Sequence, residues 1–199
     1  MKTFLHVGCG GNRKEHTTPV FAGDGWRELR FDIDVGARPD IIGTMVNMEA
    51  VANESVDALY SAHNIEHLYP HEVPIALAEF RRVVKCDGYA VITCPDLQSV
   101  SALVAEGQLV EAAYISPAGP IAPLDILFGL RSALAAGNHF MAHKCGFTDQ
   151  LLARELMAAG FASVAHIRRP ASFDLWAIAS KAPVPEAELR ALAASHLPH

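Results

Sequence analysis

Apolar positions along this chain follow two rhythms. Short unbroken apolar runs bounded by turn residues alternate with stretches where apolar residues return every three or four positions, the marks of buried strands and of helices packed on them. Residues 3–7, ELRFDID (28–34), PDIIG (39–43), SVDALYSAH (55–63) and YAVITCP (89–95) read as strands. Before the last of these, HEVPIALAEFRRVVK sets Val73, Ala76, Leu77, Phe80, Val83 and Val84 at helical spacing. Pro70 and Pro74 stand at its start, where a missing amide donor is tolerated, and Asp87-Gly88 at its end. Thr148 is placed to cap a second helix carrying Leu151, Leu152, Leu156 and Met157, which Gly160 stops. ASVAHIRR (162–169) and FDLWAIASK (173–181) add two strands split by Pro170, and PEAELRALAASH (185–196) reads as a short terminal helix. Residues 11–27 are polar and read as a loop.

Strands alternating with helices predict an α/β fold, a mostly parallel sheet covered on both faces. The last two strands are too close in sequence for a crossover helix, so they form an antiparallel hairpin at the end of a seven-stranded sheet. Residues 96–147 leave the sheet after the fifth strand and carry Pro117, Pro120 and Pro123 with many apolar residues. An excursion of that length at the carboxyl end of a strand points to a substrate-side cap. The expected organisation is one domain over 1–182, with the cap at 96–147, and a tail over 183–199.

The net charge of −6 argues against a nucleic-acid partner, which needs clustered Lys and Arg. No apolar run reaches the length of a membrane helix and the first residues lack a signal-peptide core, so a cytoplasmic protein is expected, with no membrane partner. Cys9, Cys86, Cys94 and Cys145 have no metal-ribbon or cluster spacing and read as buried reduced thiols.

The chemistry centres on LHVGCGGNRK (5–14), where Gly8, Gly10 and Gly11 follow the first strand. Ligands of such sheets sit beyond the carboxyl ends of the strands. A phosphate-binding loop needs Gly-Lys followed by Ser or Thr, which Gly11-Asn12-Arg13 does not supply, and the dinucleotide fingerprint needs a glycine where Arg13 stands. A glycine-lined turn with an acid at the end of the second strand, able to accept from a ribose diol, fits Asp32, with Asp34 as its rival one step into the loop. The segments VGCGGN, FDID, SVDALYSAHNIEHL, EFRRVVKCDGYAVITCPD and HKCGFTDQLLARELMAAGF come in the order seen in small class I S-adenosylmethionine-dependent methyltransferases, and the resemblance covers roughly residues 4–180.

The resemblance implies S-adenosylmethionine as cofactor. Gly8 and Gly10 would line its methionine part, Asp32 would bind the ribose hydroxyls, and Thr44-Met45 would flank the adenine. The backbone from Ser61 to Asn64, His63 included, would face the sulfonium. Three places depart from the family pattern: the polar 11–27 replaces a long first helix, Thr44 stands where an aspartate is frequent, and Cys86-Asp87 replaces Pro-Gly.

His63, Glu66 and His67 spell HxxEH, an inverted zinc-protease pattern. The stretch sits at a strand-to-helix junction and the family pattern already contains the Glu-His pair, so hydrogen bonds holding the loop are expected and no metal. His139 and His143, at the end of the cap, are placed to face a substrate, as is Asp96 after the fifth strand. The expected reaction is in-line displacement of the cofactor's methyl by a hydroxyl, amine or carboxyl of a small-molecule acceptor, with His143 assisting where the acceptor must lose a proton. The alternatives are a cofactor-binding sensor or partner subunit without transferase activity, and a nucleotide-sugar or dinucleotide enzyme on a similar sheet. The sequence leaves the oligomeric state open.

Overall fold

A computed structural model describes residues 1–198. In chain order the elements are β1 (Lys2–Val7), α1 (Pro19–Ala22), β2 (Trp26–Asp32), β3 (Ile41–Ile42), β4 (Val56–Ala62), α2 (Val73–Val83) and β5 (Val84–Pro95). The cap follows with α3 (Leu97–Ala105), β6 (Tyr114–Ser116), β7 (Gly119–Ile121), α4 (Pro123–Phe128) and α5 (Arg131–Ala135). The chain then returns through α6 (Asp149–Ala158), β8 (Ser163–Arg169), β9 (Asp174–Ser180) and α7 (Glu186–His196).

Seven strands form one sheet in the order β3-β2-β1-β4-β5-β9-β8, and β9 alone runs antiparallel to its neighbours. The chain winds outward from β1 through β2 to β3, then returns to lay β4 on the other side of β1. That reversal opens a crevice at the carboxyl ends of β1 and β4, where such sheets bind ligands. The expected mostly parallel sheet with a closing antiparallel pair is therefore the observed one.

Alternation along β1 divides the interior into two cores. Leu5 and Val7 face α2 and α6, packing with Leu59, Leu77, Phe80, Ile92, Leu152 and Leu156. Phe4 faces the other way, stacked on Phe21 of α1 with their ring centroids 4.4 Å apart. Since α1 is only four residues long, it cannot cover that face alone. The amphipathic α7 completes it, with Leu189, Leu192 and Ala193 packed against the same cluster. The stretch 11–27 is thus not all loop: it holds α1 and its fully buried Phe21.

His196 at the end of α7 is buried between Thr18 Oγ1 (2.7 Å from Nδ1) and Tyr89 OH (2.8 Å from Nε2). Burial lowers its pKa to about 4. An unfolded histidine titrates near 6.5, so between these values the unfolded chain holds the extra proton. The stabilisation from the neutral, buried ring is complete above about pH 6.5 and is lost as the pH falls toward 4, amounting to about 3 kcal/mol. Urea titrations between pH 7 and 4 are expected to show this loss, and His196→Gln to flatten it. An unchanged slope in the variant would assign the acid lability to other groups.

Several element boundaries differ from the sequence expectation. Strand β2 ends at Asp32 rather than residue 34, because the Asp34 side chain accepts from Gly36 N at 2.7 Å and turns the chain. Helix α2 stops at Val83, and β5 starts at Val84 with an irregularity before Tyr89. Gly88 sits in that irregularity, where a Cβ would lie 2.6 Å from Asp57 O. Strand β4 ends at Ala62, leaving His63 outside it.

The cap has a small core of its own, in which Val100, Ile121 and Ile126 pack with Leu127, Leu130 and Phe173. It is fastened to the sheet through Asp96, a fully buried residue that caps α3. Its carboxylate accepts from Gln98 N, Ser99 Oγ and Arg168 Nε, the last at 2.6 Å. With its oxygens engaged in this way, Asp96 is a fastener and does not face a substrate as the sequence reading expected.

Candidate functional site

Where β1 ends, the backbone turns through left-handed φ at Gly8 (+62°) and Gly10 (+50°), a region that disfavours other residues. At Gly8 a Cβ would also lie 1.9 Å from Asn64 Oδ1. Asn64 occupies that space because its Nδ2 donates to Val7 O (2.7 Å) and Ala62 O (3.2 Å), lacing the ends of β1 and β4 together. A Cβ on Gly10 would meet no atom within 4 Å, so the loop is open on that side.

Asp32, the last residue of β2, is only 7% exposed. Its Oδ2 accepts from Gly10 N at 2.7 Å and its Oδ1 from Asp34 N at 2.8 Å. Each oxygen keeps a lone pair for a further donor. Beneath this pair lies Arg30, a buried residue that the sequence reading passed over. Its guanidinium donates to Gly10 O and Asn12 O in the glycine loop, and to Ala37 O (3.1 Å) and Arg38 O (2.7 Å) in the loop after β2. One cation thus ties both loops together through backbone carbonyls. Because β2 (WRELRFD) also carries Arg27 and Glu28, nothing in the sequence sets Arg30 apart. Beside it, burial pushes the Cys9 thiol up to about 11, so this thiol stays protonated and inert at neutral pH.

Thr44 and Met45 lie on the next loop, beyond β3. Thr44 forms an antiparallel bridge with Asn47, and Met45 packs half-buried against the main core. His63 follows β4 with φ +51°, an uncommon conformation for a side chain of this size, and its side chain is 54% exposed. It contacts Glu66, not the glycine loop, its Nδ1 standing 3.6 Å from Glu66 Oε1.

Glu66, 1% exposed, sits in the single-turn helix Ile65–His67 that follows β4. Its backbone carbonyl accepts from Lys144 N (2.8 Å) and Cys145 N (3.2 Å), which seats the end of the cap on this turn. The expected hydrogen-bonded loop is there in part: His67 Nδ1 meets Ala142 O at 3.1 Å, but neither oxygen of the Glu66 side chain has a hydrogen-bond partner among the described residues. Instead the carboxylate faces histidines. His143 Nε2 lies 4.0 Å from Oε1, and the His67 and His143 ring centroids are 4.8 Å apart. Burial opposes the charge on Glu66, yet the neighbouring His63, His67 and His143 hold its pKa below the usual carboxylate range. Glu66 and Asp174 raise the pKa of the half-exposed His63. His143 is lowered, chiefly by burial.

Two cavities share Glu66, Pro95, Ile126 and His143, one of ≈ 370 Å³ and one of ≈ 250 Å³. The larger is walled by His63, His67, Tyr114, Phe173 and Asp174, with Asp125 at its edge. Asp125 carries a two-point ion pair with Arg131 (2.7 and 3.0 Å), whose hydrogen bonds hold its carboxyl down at about 2. His143 lines both cavities, whereas His139 is exposed on the surface. Of the aromatics in this region, Phe147 is core, Phe140 is exposed, and Phe128 lines the smaller cavity while remaining 59% exposed.

Residues 5–92 match a family model described as "Methyltransferase domain". No curated protein matches the sequence. Among solved structures, a TehB-like SAM-dependent methyltransferase from Corynebacterium glutamicum is 17% identical with a TM-score of 0.53, over 90% of this chain and 80% of that one. A SAM dependent methyltransferase from Archaeoglobus fulgidus is 16% identical with a TM-score of 0.58, over 89% and 85%. The citrinin polyketide synthase CMeT domain is 14% identical with a TM-score of 0.60 over 92% of this chain, which spans 47% of that structure's chain. Among the described residues no helix is long and apolar enough to cross a membrane.

Proposed function

We propose that this chain, a class I S-adenosylmethionine-dependent methyltransferase by its family match and its fold, moves the cofactor's methyl group to a hydroxyl, amine or carboxyl of a small-molecule acceptor held under the cap. The observation that carries the reading is that two half-sites lie at the carboxyl ends of neighbouring parallel strands of one sheet. The glycine loop and Asp32 lie at the ends of β1 and β2, and the Glu66–His143 cavity opens at the ends of β4 and β5. Asn64 joins them, since it laces β1 to β4 one residue from His63.

The residues present fit the cofactor. A nearly buried carboxylate with lone pairs to spare suits a ribose diol, and the open side of Gly10 leaves room beside it. Asp32 would hold the ribose, Gly8 and Gly10 would line the methionine side, and Thr44 and Met45 would flank the adenine. The turn carrying His63 would face the sulfonium. When bound, the cofactor supplies a methyl group on a positively charged sulfur, so the chain has mainly to orient the acceptor and keep water away. The apolar residues of the cap, Ile121, Ile126 and Leu130, form the water-excluding wall. His143 is the group that meets the acceptor: its Nδ1 lies 2.7 Å from Ile126 O, so Nδ1 carries the proton and Nε2 offers its lone pair to the cavity. Of the four cysteines, Cys9 and Cys94 are buried, Cys145 is half-buried and Cys86 is exposed, so the expectation of buried thiols fails at Cys86.

His143→Ala is expected to leave the affinity for S-adenosylhomocysteine unchanged within about twofold, and to lower turnover about a hundredfold for hydroxyl or amine acceptors. The check is calorimetry with S-adenosylhomocysteine beside a transfer assay over a panel of hydroxyl, amine and carboxyl compounds. Undiminished turnover would remove His143 from the mechanism. Binding with no product from any acceptor would favour a cofactor-binding sensor or partner subunit.

A further inference from the structure

We infer that Glu66, His67 and His143 form a binding site for one divalent transition-metal ion of the zinc type, at the floor of the cavity under the cap. One ligand atom from each of the three lies within 4.8 Å of the others. The proton positions decide what these atoms want. Both imidazoles place Nδ1 against a backbone carbonyl, His143 on Ile126 O at 2.7 Å and His67 on Ala142 O at 3.1 Å. A carbonyl only accepts, so each ring carries its proton there and keeps its lone pair on Nε2. This is the arrangement that fixes the tautomer of metal-bound histidines. In His143 the lone-pair nitrogen faces Glu66 Oε1 at 4.0 Å. Glu66 is 1% exposed and neither of its oxygens receives a hydrogen bond among the described residues.

Two imidazole lone pairs and a buried carboxylate therefore converge, the nearest outside donor, His63 Nδ1, standing 3.6 Å from Glu66 Oε1 and beyond hydrogen-bond distance, and a cation supplies what they lack. Two histidines and one glutamate are the ligand set of open zinc sites, where three protein groups leave a further position free. Metal–nitrogen bonds of about 2.0–2.1 Å need these groups drawn closer by roughly an ångström, within reach of side-chain rotation. This ligand set differs from the HxxEH reading of the sequence. His63 is half exposed at the rim, and His143, brought in by the cap more than seventy residues later, takes its place. The free position points into the cavity, so an acceptor oxygen or nitrogen would be the ion's next ligand. That role rests on the proposed function, while the binding does not. The ion and a proton compete for the same His143 lone pair, so with metal bound His143 acts through the ion.

The test is calorimetric titration of the chelator-stripped chain with zinc chloride, without cofactor or acceptor, and a parallel cobalt(II) titration followed by visible absorption. One saturable site is expected, weakened about a hundredfold or more by His67→Ala and by His143→Ala, and unchanged by His139→Ala on the exposed part of the same segment. Glu66→Gln, which keeps the size of the side chain, is expected to lose the site while retaining a cooperative thermal unfolding transition; this separates lost ligation from lost folding. A folded wild type with no saturable zinc or cobalt binding up to about 100 µM, or a site indifferent to Glu66→Gln and His143→Ala, would overturn the inference. S-adenosylhomocysteine binding by the same metal-free sample is read separately, so failure of the metal site leaves the cofactor assignment standing, and the reverse.

Discussion

Asp32→Ala is expected to weaken S-adenosylhomocysteine binding by at least about tenfold, and Asp34→Ala by less than about threefold. A hydrogen bond to a charged group contributes roughly 1.5–3 kcal/mol, and a factor of ten is about 1.4 kcal/mol. The two aspartates differ in what their oxygens already do. Asp32 closes β2 and presents its carboxylate beside Gly10, whereas Asp34 spends its Oδ1 on Gly36 N and turns the chain away. Calorimetric titrations of the two variants decide it. Equal losses would show that the ribose is held from a different register of the loop.

Arg30→Ala is expected to lower stability by about 3 kcal/mol or more, because one buried guanidinium serves carbonyls on two loops and its removal leaves them without donors. Urea unfolding should show a lower midpoint at an unchanged slope. S-adenosylhomocysteine affinity should fall with it, since the loops that lose their tie carry Gly10 and Asp32. A loss under about 1 kcal/mol would mean that the glycine loop is ordered without the clamp.

The strands of the sheet were legible because their apolar runs are short, bounded by turns and separated by a clear helical period. Boundaries failed where apolar character continues through a change of structure. Ile33 extends the apparent run of β2 past Asp32, although it is 47% exposed. Val83 and Val84 are both fully buried, one ending α2 and the other opening β5, so hydrophobicity carries no break between them. The positions of Gly8, Gly10 and Asp32 at strand ends follow from local pattern and could be read directly. The company kept by Glu66 could not. Its neighbour His143 comes from a cap whose path depends on how α3 and α4 pack, and on backbone bonds from Lys144 and Cys145 to the Glu66 carbonyl. His139 and His143 stand four residues apart, yet a turn at His139–Met141 sends one to the surface and the other inward. The covering of one sheet face by α7 was equally hidden, since it arises from the shortness of α1.

The central claim, that the glycine loop and Asp32 form the cofactor cradle of a methyltransferase, is tested most directly by isothermal calorimetry of the intact chain with S-adenosylhomocysteine, NAD and ATP in separate titrations. The account predicts saturable binding of S-adenosylhomocysteine at one site per chain and none of the other two at comparable concentration. Clear heat with NAD or ATP, and none with S-adenosylhomocysteine, would contradict it.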